Sequence, residues 1–300
     1  MRALLLVLLA VTSSGIAGCN PGSAEAKRFA AACEAGSYAA CDSLGGRLRR
    51  GEYVLRDEAR AAGLFDRACT GGIGESCASL GAMLQEGYLG NHDSVRARSL
   101  FEEACSRRAM DGCAALGVLY MEGGGVPADP ARAAELFDEA CDAGQTTACA
   151  HLGTLHVAGR GVAHDVTQAA ALFQRACGDS VPLGCIGLGR LHASGDGIER
   201  NDSIAVALFD SACEADALDG CLELATAAEA GRGIPQDFVR AGDLYTHLCD
   251  EDIGVACARL ADLHEKGAGV FRDAERATRL RRKACTLGYA AACVKPESAA

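Results

Sequence analysis

The sequence predicts an all-α fold, a right-handed solenoid of stacked helix-turn-helix repeats with seven full 36-residue units. Three observations predict it. Cysteines come in pairs with seven residues between partners, and the first of each pair falls at 33, 69, 105, 141, 177, 213, 249 and 285, every step 36 residues. Within each period apolar residues recur at three- and four-residue spacing, the signature of an amphipathic helix. The composition agrees: 37 glycines and only 6 prolines suit helices joined by glycine turns.

Each unit reads as helix, glycine turn, helix. In the unit that opens at Cys149, Leu152 and Leu155 mark the apolar stripe of the first helix, which stops at Gly159. The turn GRGVAHD supplies glycines for left-handed geometry, with Val162 expected as a buried plug. Asp165 suits an N-cap, because a short oxygen-bearing side chain there can accept from the first free backbone N–H groups. The second helix carries Ala169, Leu172, Phe173 and Ala176 on one face and ends near Cys177. The other units keep this register. A small residue follows the first leucine (Gly45, Gly81, Gly117, Gly153, Gly189, Ala225, Ala261), and a glycine ends the first helix (Gly51, Gly87, Gly123, Gly159, Gly195, Gly231, Gly267). One hairpin cannot bury its apolar face alone, so stacking makes the core.

The run from Leu116 to Ala140, Leu-Gly-x-Leu-Tyr-x-x-Gly-x-Gly-Val-x-x-Asp-x-x-x-Ala-x-x-Leu-Phe-x-x-Ala, resembles the Sel1-like repeat, a relative of the tetratricopeptide repeat. The resemblance covers about residues 25–293, and the paired cysteines liken the chain to the bacterial cysteine-rich secreted branch. It departs at the ends, where GEYVLRD and EGYLGNHD lack the full glycine pair and Arg281 replaces the aromatic. Those units read as polar caps.

Cysteines eight apart in one continuous helix would lie about 12 Å apart by helix rise, and a disulfide needs Cα atoms within roughly 7 Å. The repeat places the first cysteine at the end of one helix and its partner at the start of the next. A short turn then brings them together. The expected disulfides are Cys33–Cys41, Cys69–Cys77, Cys105–Cys113, Cys141–Cys149, Cys177–Cys185, Cys213–Cys221, Cys249–Cys257 and Cys285–Cys293. Zinc is the rival, but two thiolates are half a tetrahedral site and the next pair lies a full repeat away, roughly 10 Å or more. Seventeen cysteines also fit an oxidising compartment.

Residues 1–18 have the shape of a secretory signal: Arg2, an apolar run from Ala3 to Val11 too short to span a bilayer, then small residues. The ending Ile16-Ala17-Gly18-Cys19 resembles a bacterial lipobox, which implies cleavage before Cys19 and lipidation of that cysteine, the one outside the pairs. Asn20 in second place implies, by the same resemblance, delivery to the outer membrane, facing the periplasm or the cell surface. Residues 19–24 then form a tether, 25–293 the repeat array and 294–300 a tail. The formal charge of −11 argues against nucleic acid and against electrostatic binding to acidic lipid, leaving membrane contact to the lipid alone.

Chemistry is hard to find in the pattern. His156, His192 and His264 share one repeat position, but the same slot elsewhere holds Leu48, Leu84, Tyr120 and Ala228, so it reads as packing. His151 and His156 are five apart on one helix and diverge; His92 and His164 fall in turns and are expected to face solvent. The glycine turns lack the Lys-Ser or Lys-Thr of a nucleotide cradle. No catalytic residue, metal site or cofactor is implied. The resemblance does bring one enzymatic alternative, a β-lactamase-like or penicillin-binding activity. Yet no serine stands three residues before Lys27, Lys266, Lys283 or Lys295, so the Ser-x-x-Lys nucleophile is missing. The expected function is a lipid-anchored scaffold in the bacterial cell envelope, whose concave face binds a protein or peptide; a peptidoglycan ligand is the alternative within binding modules.

Overall fold

The computed structural model describes residues 21–88, 90, 92–124 and 126–293; the signal segment, Cys19 and the tail 294–300 lie outside the described residues. Among the described residues there are fifteen α-helices, one short 3-10 turn and no strand. No helix among them is long and apolar enough to cross a membrane. The chain divides into two compact units at Asp93.

The amino-terminal unit holds α1 (Pro21–Glu34), α2 (Tyr38–Arg50), α3 (Glu58–Thr70) and α4 (Gly74–Gln85). The first of these begins at Pro21, inside the stretch read as a tether; proline is at home in the first helical turn, where its missing N–H has no partner to lose. The second unit holds α5 (Ser94–Ser106), α6 (Met110–Glu122), α7 (Pro130–Asp142), α8 (Thr146–Ala158), α9 (Val166–Gly178), α10 (Pro182–Ser194), α11 (Asp202–Glu214), α12 (Leu218–Ala230), α13 (Phe238–Asp250), α14 (Gly254–Lys266), α15 (Ala274–Thr286) and the 3-10 turn Ala290–Ala292. In each unit successive helices pack as hairpins, so the helical-repeat solenoid predicted from the period is the fold observed.

The register residues explain the packing. The alanine of the second helix is fully or nearly fully buried in every unit, from Ala61 to Ala277, and so is each aromatic from Phe65 to Tyr245. The small residue of the first helix exists for that aromatic. A methyl group on Gly117 would sit 2.7 Å from Phe137, on Gly153 2.8 Å from Phe173, and on Gly189 2.6 Å from Phe209. Glycine and ring are thus a complementary pair within one repeat. The two repeats with alanine there, Ala225 and Ala261, are those in which Tyr245 and Arg281 replace phenylalanine. The Tyr245 hydroxyl donates to Glu229 (2.8 Å), and burial raises its pKa. One repeat later Arg281 pairs with Asp262 (2.9 Å) and with Glu265, which stand at the register of Thr226 and Glu229.

The long turns are built as the pattern implies. Asp57, Asp129, Asp165, Asn201, Asp237 and Asp273 each accept from the backbone N–H three residues on. The glycine that ends each first helix has φ between 61° and 79°. Val162, however, is only half buried, unlike its equivalent Val126. The turn docks through its neighbour instead. Gly161 approaches the preceding repeat so closely that a Cβ there would lie 2.2 Å from the Pro130 carbonyl carbon, and Gly233 and Gly269 do the same against Asp202 and Phe238.

Candidate functional site

Two features stand apart from generic helix packing: the cystine joints and one cavity. All eight cysteine pairs are bonded, each across a sequence separation of eight, with Cα atoms 4.5 to 4.9 Å apart. Each bridge ties the end of a second helix to the start of the next first helix, α7 to α8 through Cys141–Cys149 for example; the last reaches Cys293, just past the 3-10 turn. The turn inside each bridge bends through a left-handed residue three after its first cysteine. That residue is Gly36, Gly72, Gly144 or Gly288 in four joints, but Arg108, Ser180, Asp216 or Asp252 in the other four. A basic side chain braces several joints from the next repeat: Arg67 donates to the Cys33 carbonyl (3.1 Å) and Lys283 to that of Cys249 (2.7 Å). Cys105 and Cys113 lie beside Glu139, but their sulfurs are bonded to each other and offer no thiolate to a metal.

The histidines expected to pack do so, and they also hold the long turn. Nδ1 of His156, His192 and His264 donates to the carbonyls of Ala163 (3.1 Å), Glu199 (3.2 Å) and Phe271 (2.9 Å), in each case seven residues on. His156 and His264 are buried and His192 is half buried. His92 and His164 are exposed as expected, yet each reaches back to a helix-end carbonyl, of Gln85 (2.7 Å) and Val157 (2.9 Å). His151 stacks on Phe137 with ring centroids 5.0 Å apart, and burial lowers its pKa. These six imidazoles are fastened to backbone or ring and make no catalytic cluster.

The cavity lies between α10, α11 and α12 and has a volume of about 230 Å³. Phe209, Val206, Ala205 and Ala227 give it an apolar floor; Arg190, Glu223, Asp202 and Arg232 stand around it. Arg190 is held by Glu223 (2.8 Å) and Asp219 (3.6 Å), and Asp202 by Arg200 (2.9 Å), a hydrogen-bonded pair that lowers the Asp202 pKa. The sequence reading missed this place. Its signal was available: Ala227 occupies the register of Leu119, Leu155, Leu191 and Leu263, all of them buried.

Stacked hairpins and repeat-bound rings define a helical-repeat scaffold. The chain belongs to the Sel1 repeat family, whose model matches seven times, at residues 39–73, 74–107, 111–145, 146–178, 182–216, 218–250 and 254–289. This is a scaffold fold typical of protein–protein interaction. Among solved structures it is similar to c5321, a protective antigen of uropathogenic Escherichia coli strains with an SLR fold, at 25% identity and TM-score 0.68 over 89% of this chain; the chain spans 57% of that protein's length. A Sel1 repeat protein from Oxalobacter formigenes shares the fold at 22% identity and TM-score 0.67, over 89% of this chain and 78% of the other. A search of curated proteins finds no match.

Proposed function

We propose that the chain is a secreted, lipid-anchored repeat scaffold that binds a protein or peptide in the bacterial cell envelope, held at the outer membrane through Cys19. The observation that carries the reading is the complete set of local cystines, which needs an oxidising compartment and stiffens every joint of a fold that binds through shape. The protective-antigen description of the Escherichia coli relative fits a chain displayed outside the cytoplasm. Variable side chains on the repeating first helices are the expected contacts.

Crosslinking in intact envelope followed by recovery of the lipidated protein tests the reading. A reproducible partner, lost from the membrane fraction with Cys19→Ser together with radiolabelled acyl incorporation, is the expected result. A chain that stays cytoplasmic with reduced cysteines refutes it. Intact mass without reductant, lower than the reduced mass by about 16 Da for eight bridges, is the quick check on export into an oxidising space.

A further inference from the structure

The first long turn, GEYVLRD at residues 51–57, differs from its sisters in what it shows to solvent. Tyr53 stands at the register of Gly161, Gly197, Gly233 and Gly269, the glycines that dock on the start of the preceding second helix. It keeps their left-handed backbone, with φ of 59°, and is 59% exposed. Glycine takes that conformation without strain, so the repeat forgoes both relief and docking to hold a ring in solvent. Two residues on, Leu55 is 91% exposed. Tyr88, in the second long turn, is exposed as well. The long turns at 123–129, 159–165, 195–201 and 231–237 expose no large apolar side chain among the described residues.

These side chains share an edge with the first turns of α1. Arg47 pairs with Glu25 of α1 at 2.8 Å, and its guanidinium lies 5.9 Å from the centroid of the Tyr53 ring. Arg56 lies over the Tyr88 ring at 5.7 Å. Cys19 stands two residues before Pro21, the first residue of α1, so an acyl group on it begins within about 7 Å of that helix start. Charge does not oppose contact here. Residues 21–60 hold seven Lys and Arg against six Asp and Glu, although the whole chain stands at −11. Arg50 is paired with Glu52 and Arg56 with Glu58, so the pull on anionic headgroups is also small. What the edge offers is leucine and tyrosine, and tyrosine suits a bilayer interface, its ring among acyl chains and its hydroxyl at headgroup level.

We propose that this edge is a membrane seat: beside an acylated Cys19, Tyr53, Leu55 and Tyr88 enter the bilayer interface and hold the amino-terminal unit in one orientation. The seat rests on the lipid-anchor reading for what brings the edge to a bilayer, and it adds a protein contact to the acyl one.

The chain has no tryptophan, so one introduced at a chosen place reports alone. The test couples the oxidised mature chain, through the Cys19 thiol, to phosphatidylcholine vesicles that carry a trace of maleimide-headgroup lipid and brominated acyl chains. Coupling sets the chain at the same tether point whether or not the cell acylates it. Leu55→Trp is expected to emit further to the blue on vesicles, and to lose at least three times as much intensity to the bromines as either of two controls. One is Tyr38→Trp, at the far end of α2 from the first long turn. The other is Phe271→Trp, which has the register of Leu55 in the carboxy-terminal unit and is 95% exposed. Adding Tyr53→Gly, which restores the sister residue, is expected to leave the melting temperature no lower and to cut the quenching of Leu55→Trp at least twofold. Equal quenching of the three tryptophans overturns the proposal. So does a blue shift that appears without vesicles and grows with protein concentration, which makes a second copy the occupant. The mass of the protein recovered from envelope judges the anchor separately. An unacylated Cys19 sinks the lipid reading and leaves the vesicles to judge the edge; an acylated Cys19 with equal quenching sinks the seat alone.

Discussion

Two kinds of turn alternate along this chain, and they handle the same backbone problem differently. The short turn between α7 and α8 is closed by a cystine; the long turn between α8 and α9 is closed by hydrogen bonds, His156 and His164 donating to backbone carbonyls and Asp165 accepting from the Gln168 N–H. Both need a residue in the left-handed region. In the long turn that residue is glycine at the end of every first helix, seven of seven. In the cystine turn it is glycine in four joints and Arg108, Ser180, Asp216 or Asp252 in the rest. A side chain there costs about 1–2 kcal/mol. Where a covalent bond holds the geometry the sequence tolerates that strain in half the joints; at the helix-ending position of the long turn, held by hydrogen bonds of about 1 kcal/mol each, it never does, although Tyr53, two residues past Gly51, takes a φ of 59° in the first long turn.

The largest expected effect bears on this directly. Replacing Cys105 and Cys113 together by alanine removes the closure of a nine-residue loop and is expected to cost about 2–3 kcal/mol, read as a lower denaturation midpoint. A loss well under 1 kcal/mol would break the comparison, since the bridge would then not be what holds Arg108 in place. Next comes Gly161→Ala in the long turn. It combines φ of +74° with a Cβ position 2.2 Å from the Pro130 backbone, and is expected to cost about 2–3 kcal/mol with every cystine intact. A smaller effect of opposite sign sharpens the contrast. Arg108→Gly relieves the left-handed strain and is expected to stabilise by about 0.5–1 kcal/mol after the extra freedom of glycine in the unfolded chain is counted. Melting curves of the three variants under matched oxidation settle the order.

The smallest effect concerns His151. Burial against Phe137 depresses its pKa below the ordinary value of 6.5, so the unfolded chain takes up the proton first as pH falls. The stability due to the neutral ring is complete above 6.5, erodes below it and levels off beneath the folded pKa. The expected measurement is a shallow loss of stability from pH 7 to pH 5 that is reduced in His151→Phe, which keeps an aromatic ring on Phe137.

How much of this was legible in the sequence follows from what repeats and what does not. Period, caps and helix-ending glycines recur at fixed spacing, and each is a local device, so Asp165 and Gly159 declare their roles without tertiary knowledge. Cystine pairing was legible for the same reason: both partners sit at helix ends a few residues apart. Contacts between repeats were harder. Val162 looked like the plug because it is apolar, whereas the docking atom is the bare Cα of Gly161, whose importance lies in a neighbour 31 residues away. The match of Gly117 to Phe137 also spans two helices and shows only when positions are read in pairs. Ala227 was overlooked because alanine is ordinary in this composition; it becomes informative only against the leucines of its own register.

The bridges have one further consequence, for how the molecule is made. From Cys33 onward every cystine joins nearest neighbours in sequence, Cys33 to Cys41 and Cys69 to Cys77 and so on, without nesting or crossing. If the chain threads amino end first into an oxidising space, the second cysteine of each pair therefore finds its correct partner in the thiol that arrived just before it. Maturation can proceed link by link at the pace of emergence, and the many wrong pairings open to sixteen thiols set free together need never be sampled.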